Sequence, residues 1–526
     1  MPDVGLLIPG ADLGPGSPAA LTDDVAVLRA MLRVEAAWVR VVVGHQAGCD
    51  GDLDAVVERL AGADDDADLD SDLDSGLDGG LDADLDAVVE RLAGADDDAL
   101  ALATRLARAG GAGGNPVIPL VAVLREAVGP RLAPAVHAGL TSQDVLDTAL
   151  VLVLRDAARS AVTDLDRAAA AAARLAAEHR ARPALARTLA QAAVPTTLGA
   201  RFAGWLQGIL AARAFLDAVS DALPLAYGGA AGELSGLAVL SGSANPSGAT
   251  DLTGATGATD LTGATGATDL TGATGATGLA ALTGATELAE ATELAGATEL
   301  AEATELAEAT ELAGATERSG VAAPTASADD TGPSRPEFAL VEAWGAALGL
   351  PVGPAPWHAT RTPMVRIASA LAETCTALGK VANDVLQAVR PGAGELREPA
   401  APGRGTSSAM AHKRNPVLSV LVRRSAIVAP HLAAQVLGAA GLAVDERSDG
   451  AWHAEWPALQ LLARHAIASA HAAAELLEGL EVDADAVARN LRDGLPDIRS
   501  APDVEAAAAV VGRVLDQYAE QAGQGT

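Results

Sequence analysis

The chain has 526 residues, a formal net charge of −33, 50% hydrophobic residues and only 2% aromatic residues. With so few aromatic residues, alanine, leucine and valine must build the core, which favours closely packed helices over sheet. The large excess of acidic residues argues against nucleic acid as a partner.

The acidic residues are concentrated in two stretches. Residues 50–98 hold 19 acidic residues against 2 arginines, and residues 287–317 hold 9 acidic residues and no base. These stretches account for 26 of the 33 net negative charges, so the remaining chain is only mildly acidic and can still form a cationic pocket. Residues 52–66 recur word for word as residues 84–98. We expect this duplication to be an insert in an N-terminal helical domain of residues 1–135.

Periodic apolar positions bounded by proline or glycine predict five long helices. They cover residues 135–182, 197–223, 363–389, 416–443 and 457–480. The first would be about 60 Å long at 1.5 Å per residue. Helices of this length with apolar stripes must pack side by side, so we predict an all-α fold with a central bundle domain of residues 136–456. Residues 457–526 would complete the bundle and form a short C-terminal helical domain.

A low-complexity segment interrupts the predicted bundle domain near residues 242–336. It consists of nine-residue and then six-residue repeats rich in Ala, Thr and Gly or Glu. Neither period matches a helix or a strand, and no aromatic residue is available to offset the entropy cost of ordering. We expect this insert to be disordered.

The sequence shows no clear feature for export or for membrane spanning. Cys49 and Cys375 are isolated thiols without zinc spacing, which fits a reducing cytoplasm. The N-terminus has no basic segment followed by a long apolar run, and no uncharged apolar stretch of 18 residues is evident. We therefore expect a cytoplasmic protein that neither is exported nor spans a membrane.

The first cluster of chemically capable residues precedes the first long helix. Its sequence, residues 137–144, is His-Ala-Gly-Leu-Thr-Ser-Gln-Asp, in which Thr141 and Asp144 have capping-box spacing. His137, Ser142 and Gln143 exceed what a cap requires, and a helix N-terminus favours a bound carboxylate. The segment resembles the His-x-Gly-x-Thr-Ser-x-Asp-x-x-Asp-Thr-Ala motif of the adenylosuccinate lyase and carboxymuconate cycloisomerase branch, and the match extends through Ala149.

The second cluster, residues 187–191, precedes the next helix. Thr188 and Gln191 supply neutral donors and acceptors. Lyases of the same superfamily usually have histidine as a proton donor or acceptor where this chain has Leu189, whereas the cycloisomerases have an apolar residue. The resemblance therefore argues against adenylosuccinate cleavage.

The third cluster is the loop of residues 403–416, Gly-Arg-Gly-Thr-Ser-Ser-Ala-Met-Ala-His-Lys-Arg-Asn-Pro. Two glycines allow sharp bends, while hydroxyls, cations and an amide on one loop are suited to an anion. It resembles the Gly-Ser-Ser-x-Met-Pro-x-Lys-x-Asn-Pro loop of the fumarase/aspartase superfamily, with Thr406 replacing glycine and Ala411 replacing proline.

Segments 114–121, 357–358, 445–448 and 451–456 also resemble the 3-carboxy-cis,cis-muconate cycloisomerase family, with Asp445 replacing a usual histidine. Packing between helices explains Trp452, His453 and Trp456 equally well. The resemblance implies a three-domain, all-α homotetramer with sites shared between subunits, a tricarboxylate substrate and no metal or organic cofactor. The expected reaction is lactonisation of 3-carboxy-cis,cis-muconate through an enediolate-like intermediate.

The resemblance also implies roles for individual residues. Ser407 would transfer the proton, assisted or oriented by His137. The expected substrate-binding residues are Thr141, Ser142, Gln143, Thr188, Gln191, Ser408, Met410, Lys413, Asn415 and Arg447. Two alternatives remain open, namely an adenylosuccinate-type C–N lyase and a catalytically silent member that serves as a structural or interaction protein.

Overall fold

The computed structural model describes residues 8, 17–18, 20–46, 78–242, 335–410, 412–496 and 503–524. The expected disorder of the insert near 242–336 and the first copy of the duplication lie outside these residues. The described residues before 243 and after 334 belong to one compact unit.

Five long helices form the centre of this unit. They are α5 (Ser142–Glu178), α6 (Leu198–Asp221), α9 (Thr362–Ala388), α10 (Val417–Gly441) and α11 (Gly450–Glu478). Helix α5 packs between α6 and α11, and α9 packs against α6, α10 and α11. Small alanine side chains line much of α5 and α11, so the helices approach closely and bury them almost completely. The predicted all-α fold is confirmed.

Shorter helices surround one end of the bundle. They are α1 (Asp24–Gln46), α2 (Asp78–Ala93), α3 (Asp96–Gly110), α4 (Val117–Leu132), α7 (Ser235–Leu240) and α8 (Pro336–Ala347). The second copy of the duplicated segment is part of α2 and α3, where Leu85, Val88 and Ala93 join the core. This copy is therefore integrated into the folded unit through its apolar residues.

Two small two-stranded sheets and two further helices complete the described fold. Strands β1 (Pro183–Thr188) and β2 (Gln191–Thr197) pair antiparallel, as do β3 (Leu396–Arg397) and β4 (Glu481–Val482). Helices α12 (Ala484–Gly494) and α13 (Glu505–Gln524) follow. The sequence reasoning missed the β1–β2 hairpin, because residues 183–197 were interpreted only as the approach to α6.

Helix boundaries agree with the sequence except at two places. Helix α5 begins at Ser142, seven residues after the predicted start, because the chain turns at His137 and Gly139 with positive φ before the cap. Helix α11 begins at Gly450 and contains Pro457, which had been interpreted as its start. The boundaries of the three predicted domains stay a prediction.

Helix α10 has the length and composition of a membrane-crossing helix, a property that core helices of globular proteins share. Only 33% of its most apolar stretch is buried. Val420, Ile427 and Leu437 are exposed along it. This apolar face is uncovered within a single chain.

Candidate active site

The N-terminus of α5 is closed by a reciprocal cap. The Thr141 side chain accepts from the backbone of Asp144, and the Thr141 amide donates to Asp144 Oδ2 at 2.8 Å. Asp144 is fully buried and also accepts from the Gly229 amide at 3.2 Å. His358 Nε2 lies 2.7 Å from the other oxygen of Asp144. The predicted capping box is thus present, with Ser142 beside it as the first residue of the helix.

His137 is held by a carboxylate that the sequence reasoning did not identify. Its Nδ1 lies 2.7 Å from Glu35 Oε1, and its backbone amide donates to Glu35 Oε2 at 3.1 Å. Glu35 belongs to α1 and is fully buried, whereas the His137 side chain keeps 16% of its surface exposed. The imidazole is therefore fixed from behind and open at its other edge.

A buried ionic network lies behind the start of α5. Arg361 bonds to both oxygens of Asp147 and to both oxygens of Glu455, at up to 3.2 Å. Burial alone would lower the pKa of Arg361, but the two carboxylates raise it. Burial raises the pKa of Glu455 more than Arg361 lowers it. The network therefore keeps a permanent positive charge between two carboxylates inside the bundle.

Two residues from the recognised motifs take part in this network, the predicted substrate-binding residue Gln143 and Trp452, which helix packing explained equally well. Gln143 is fully buried and donates through Nε2 to Asp147 at 3.0 Å and to the His358 carbonyl at 2.9 Å. Trp452 donates its indole N–H to Asp147 at 2.9 Å. Gln143 is committed to these contacts within the chain, and its role in substrate binding stays a prediction.

Arg447 lies near the same end of the bundle. Its guanidinium donates to the carbonyls of Gly229 and Ala230 at 3.0 and 2.8 Å. The residue is otherwise exposed. These bonds fix the cation beside the segment that also contacts Asp144, so Arg447 belongs to the His137 group.

Thr188 and Gln191 lie on the tip of the β1–β2 hairpin. They pair with each other across a two-residue turn formed by Leu189 and Ala190, both of which have positive φ. Leu189 is 97% exposed. Leu189 is therefore an exposed apolar side chain on a strained turn, accessible to a neighbouring copy or a ligand.

Glu395 anchors the hairpin next to its tip, through Arg187. Burial alone would raise the pKa of Glu395, but bonds from Arg187 and Asn490 and the charge of Arg201 outweigh it, so the pKa lies below its usual value. Arg187 and Arg201 reach the two oxygens at 2.9 and 3.0 Å. The hairpin is thereby attached to the end of α9, where the Glu395 amide donates to the Ala388 carbonyl.

The serine-bearing loop has a defined shape. The Asn415 amide donates to the Gly405 carbonyl at 2.8 Å, and a side chain on Gly405 would clash with Asn415. Ser407 Oγ accepts from the amides of Ala409 and Met410 at 3.4 and 3.2 Å. These two N–H groups favour negative charge on the Ser407 oxygen.

A cleft with a volume of about 710 Å³ lies at the base of this loop. Its lining has five cationic residues and two acidic ones, an excess of cations: Arg390, Arg397, Arg404, Lys413 and Arg414, with Glu398 and Glu481. Asn415 also lines it, whereas Ser408 and Met410 are exposed and do not belong to its lining. The cleft has the charge that a polycarboxylate requires, in a chain that is strongly acidic elsewhere.

The predicted site residues form two separate groups within one chain. His137, Thr141, Ser142, Gln143 and Arg447 lie where α9 begins, since Arg361 at its N-cap contacts Asp147. Thr188, Gln191 and the serine-bearing loop lie near its C-terminal end, beyond Ala388. Helix α9 has 27 residues and is about 40 Å long. A single chain therefore does not bring Ser407 and His137 together.

Sequence reasoning missed Glu35, Asp147, Arg361 and Glu455. A buried glutamate on an amphipathic helix looks like any solvated charge until its partner is known. Asp147 and Glu455 lay within motifs that the sequence matched but were given no role, and Asp147 also lies four residues after Gln143 on the same helix face. The others depend on contacts between distant segments.

The comparisons with known proteins agree with the fold and the motifs. Residues 75–281 and 281–430 match the family described as lyase. The chain belongs to this family, within the fumarase/aspartase superfamily, so the wider resemblance is confirmed.

Named relatives divide between two reactions. The nitrosuccinate lyase of Streptomyces davaonensis is 39% identical over 389 residues, 73% of this chain and 63% of that protein. The 3-carboxy-cis,cis-muconate cycloisomerase of Bradyrhizobium diazoefficiens is 32% identical over 390 residues, 73% of this chain and 65% of that protein. The aligned part spans just under two thirds of each relative.

The solved structure of 3-carboxy-cis,cis-muconate lactonizing enzyme from Pseudomonas putida has a TM-score of 0.61 and 25% identity. The match covers 98% of this chain and 88% of that chain. The chain is 39% identical to a nitrosuccinate lyase and 32% identical to a cycloisomerase, so sequence identity does not single out the cycloisomerase reaction.

Proposed function

We propose that the protein eliminates an acidic leaving group from a small polycarboxylate through an enediolate-like intermediate, with a nitrosuccinate-class substrate as the first candidate. The observation that carries this proposal is Leu189 on the exposed hairpin tip. The superfamily usually has a proton-transferring histidine there, and leucine cannot protonate a departing group. A leaving group that departs as a stable anion, such as nitrite, needs no such proton, and the similarity to a nitrosuccinate lyase supports this choice.

The chemistry requires a base and an anion-stabilising surface. The base removes a proton from the carbon next to a carboxylate, and the electron pair spreads onto that carboxylate before the carbon–nitrogen bond breaks. Ser407 is the base in this proposal, since two backbone amides favour its oxyanion. Lys413, Asn415 and Arg447 bind the carboxylates, together with the hydroxyl and amide groups of Thr141, Ser142, Thr188, Gln191 and Ser408, and Met410 contacts the apolar part of the substrate.

Lactonisation of 3-carboxy-cis,cis-muconate is the second candidate. An internal carboxylate adds to the diene, so the group that forms or breaks the bond is again an anion that needs no proton. The cycloisomerase relatives and the lactonizing-enzyme structure support this reaction. An adenylosuccinate-type lyase is less well supported, because an amine leaving group requires the proton that Leu189 cannot supply.

We also propose that the active unit is a homotetramer. The two residue groups lie about 40 Å apart in one chain, too far to act on one small molecule. Exposed Val420, Ile427 and Leu437 on α10 offer an apolar face for further copies of the chain. Packing of helices from neighbouring copies would join opposite ends of different chains.

Purified protein should be incubated separately with nitrosuccinate, 3-carboxymuconate and adenylosuccinate. Nitrite release together with fumarate formation from nitrosuccinate is expected. Loss of the diene absorbance of 3-carboxymuconate without nitrite release would favour the second candidate. Turnover of adenylosuccinate alone would contradict the role given to Leu189, and a folded oligomer inert toward all three would support a catalytically silent protein.

A further inference from the structure

The contact between Glu35 and His137 lies outside every motif used above. Both carboxylate oxygens of Glu35 meet one residue, the first at the ring Nδ1 and the second at the backbone amide, at 2.7 and 3.1 Å. Glu35 is fully buried on α1. Two bonds from one carboxylate fix both the position and the rotation of the imidazole.

The free-energy cost of burying the Glu35 carboxylate indicates that this residue does more than fill space in the core. Burying a carboxylate costs several kcal/mol unless it is paired and hydrogen-bonded. Among the described residues, no arginine or lysine forms an ion pair with Glu35. His137 also has a φ of 60°, a left-handed conformation that is strained for a residue with a side chain. A buried charge and a strained backbone therefore converge on one ring.

The segment around His137 is held independently of Glu35. Trp38 donates its indole N–H to the Ala138 carbonyl at 2.9 Å, and Arg125 donates to the Val136 carbonyl at 3.1 Å. The chain direction is thus set by neighbours on both sides. The additional bond to Nδ1 acts on the ring itself.

We infer that Glu35 is a positioning residue that keeps the proton of neutral His137 on Nδ1 and leaves Nε2 as the free, lone-pair-bearing atom. A carboxylate only accepts hydrogen bonds, so the nitrogen facing it carries the proton. Nε2 is then ready to accept a proton from the substrate or from Ser407 of a neighbouring copy. This role rests on the proposed function and on the assistance in proton transfer that the family resemblance implies for His137.

The first test is a double-mutant cycle on turnover. Glu35→Gln keeps the size of the side chain and removes its charge, and it should lower kcat at least tenfold with little change in KM. The same substitution in a His137→Ala background should have almost no further effect, because Glu35 acts through the ring. Glu373→Gln, on the exposed side of α9, is the matched control and should retain wild-type kcat.

The second test is independent of activity. In ¹⁵N-histidine NMR spectra, the His137 ring, identified by the signals lost in His137→Ala, should be the Nδ1–H tautomer in the wild type. Glu35→Gln should shift the population toward Nε2–H, whereas Glu373→Gln should not. An Nε2–H ring in the wild type, or additive losses in the cycle, would overturn the inference. If the wild type turns over no candidate substrate, the proposed function fails and the tautomer alone decides the role of Glu35.

Discussion

Ser407 is the residue on which the proposed chemistry depends most directly. Its hydroxyl is a weak base unless its anion is stabilised, and two backbone N–H groups point at its oxygen. We predict that Ser407→Ala lowers kcat by about 10²- to 10⁴-fold without changing the thermal unfolding midpoint. Steady-state kinetics with the best substrate from the three assays would measure this.

Ser369→Ala is the matched control for that experiment. Its hydroxyl donates to the Val365 carbonyl one turn earlier in α9, at 2.8 Å, and is therefore not available to transfer a proton to a substrate. Near wild-type kcat is expected for this variant. Equal turnover by Ser407→Ala and Ser369→Ala would show that another group is the base.

The buried imidazole of His465 should make the stability of the protein depend on pH. Burial lowers its pKa to about 4, with a contribution from the charges of Arg424 and Arg464. Between about pH 6.5 and pH 4 the unfolded chain binds a proton that the folded chain does not, so stability is lost as pH falls. His465 should account for up to about 3 kcal/mol of that loss.

Urea unfolding of the wild type and His465→Gln at several pH values would measure this term. The free energy of unfolding should fall less steeply with acid in the variant, whatever its value at neutral pH. Parallel curves for the two proteins would mean that His465 titrates in the folded state as it does in the unfolded chain.

At the scale of elements, the β1–β2 turn combines strain with exposure. Leu189 and Ala190 both have positive φ in a two-residue hairpin, where Asn-Gly is the favoured pair. Replacing them by Asn and Gly should raise the free energy of unfolding by about 1–2 kcal/mol, because the strain is removed and no contact within the chain is lost. Urea unfolding of the double variant would measure the gain.

The same double variant should lose activity although it gains stability. Leu189 is nearly fully exposed in one chain, so its side chain affects activity only through contact with a neighbouring copy or with the substrate. Ala186→Ser, on the same strand but away from the tip, serves as the comparison. A double variant that is more stable and fully active would show that the hairpin tip takes no part in the active site.

The long helices were predictable from the sequence, whereas the residues joining them were not. Apolar periodicity and prolines located α6, α9 and α10 within two residues, since these signals are local. The loop of residues 403–416 was also recognisable, because its composition has no structural explanation. Glu35 and Arg361 were not, since a buried charge is defined by a partner about 100 or 200 residues away.

At the scale of the whole molecule, the division of the site leads to a test by complementation. His137→Ala and Ser407→Ala damage opposite ends of the bundle. If each site combines ends from different copies, mixed oligomers contain some sites with both residues intact, up to about a quarter of them. We predict that mixing the two impaired variants under subunit exchange raises the specific activity well above that of either parent variant.

Mixing His137→Ala with Glu35→Gln is the matched negative control, because both changes damage the same end. Every chain in that mixture lacks either Glu35 or His137, and the two residues act as a pair within one chain. The activity of the mixture should therefore not exceed the residual rates of its parents. Restoration in this pair as well, or in neither pair, would contradict a site shared between copies.

The stiffness of α9 has a consequence for dilute solutions. A rigid rod of about 40 Å keeps the serine-bearing loop and the His137 group of one chain apart, whatever the loops do. A dissociated subunit would then be correctly folded and yet inert. Specific activity should decline as the protein is diluted below its assembly constant and recover on concentration, so that the enzyme's abundance itself acts as a threshold for turnover.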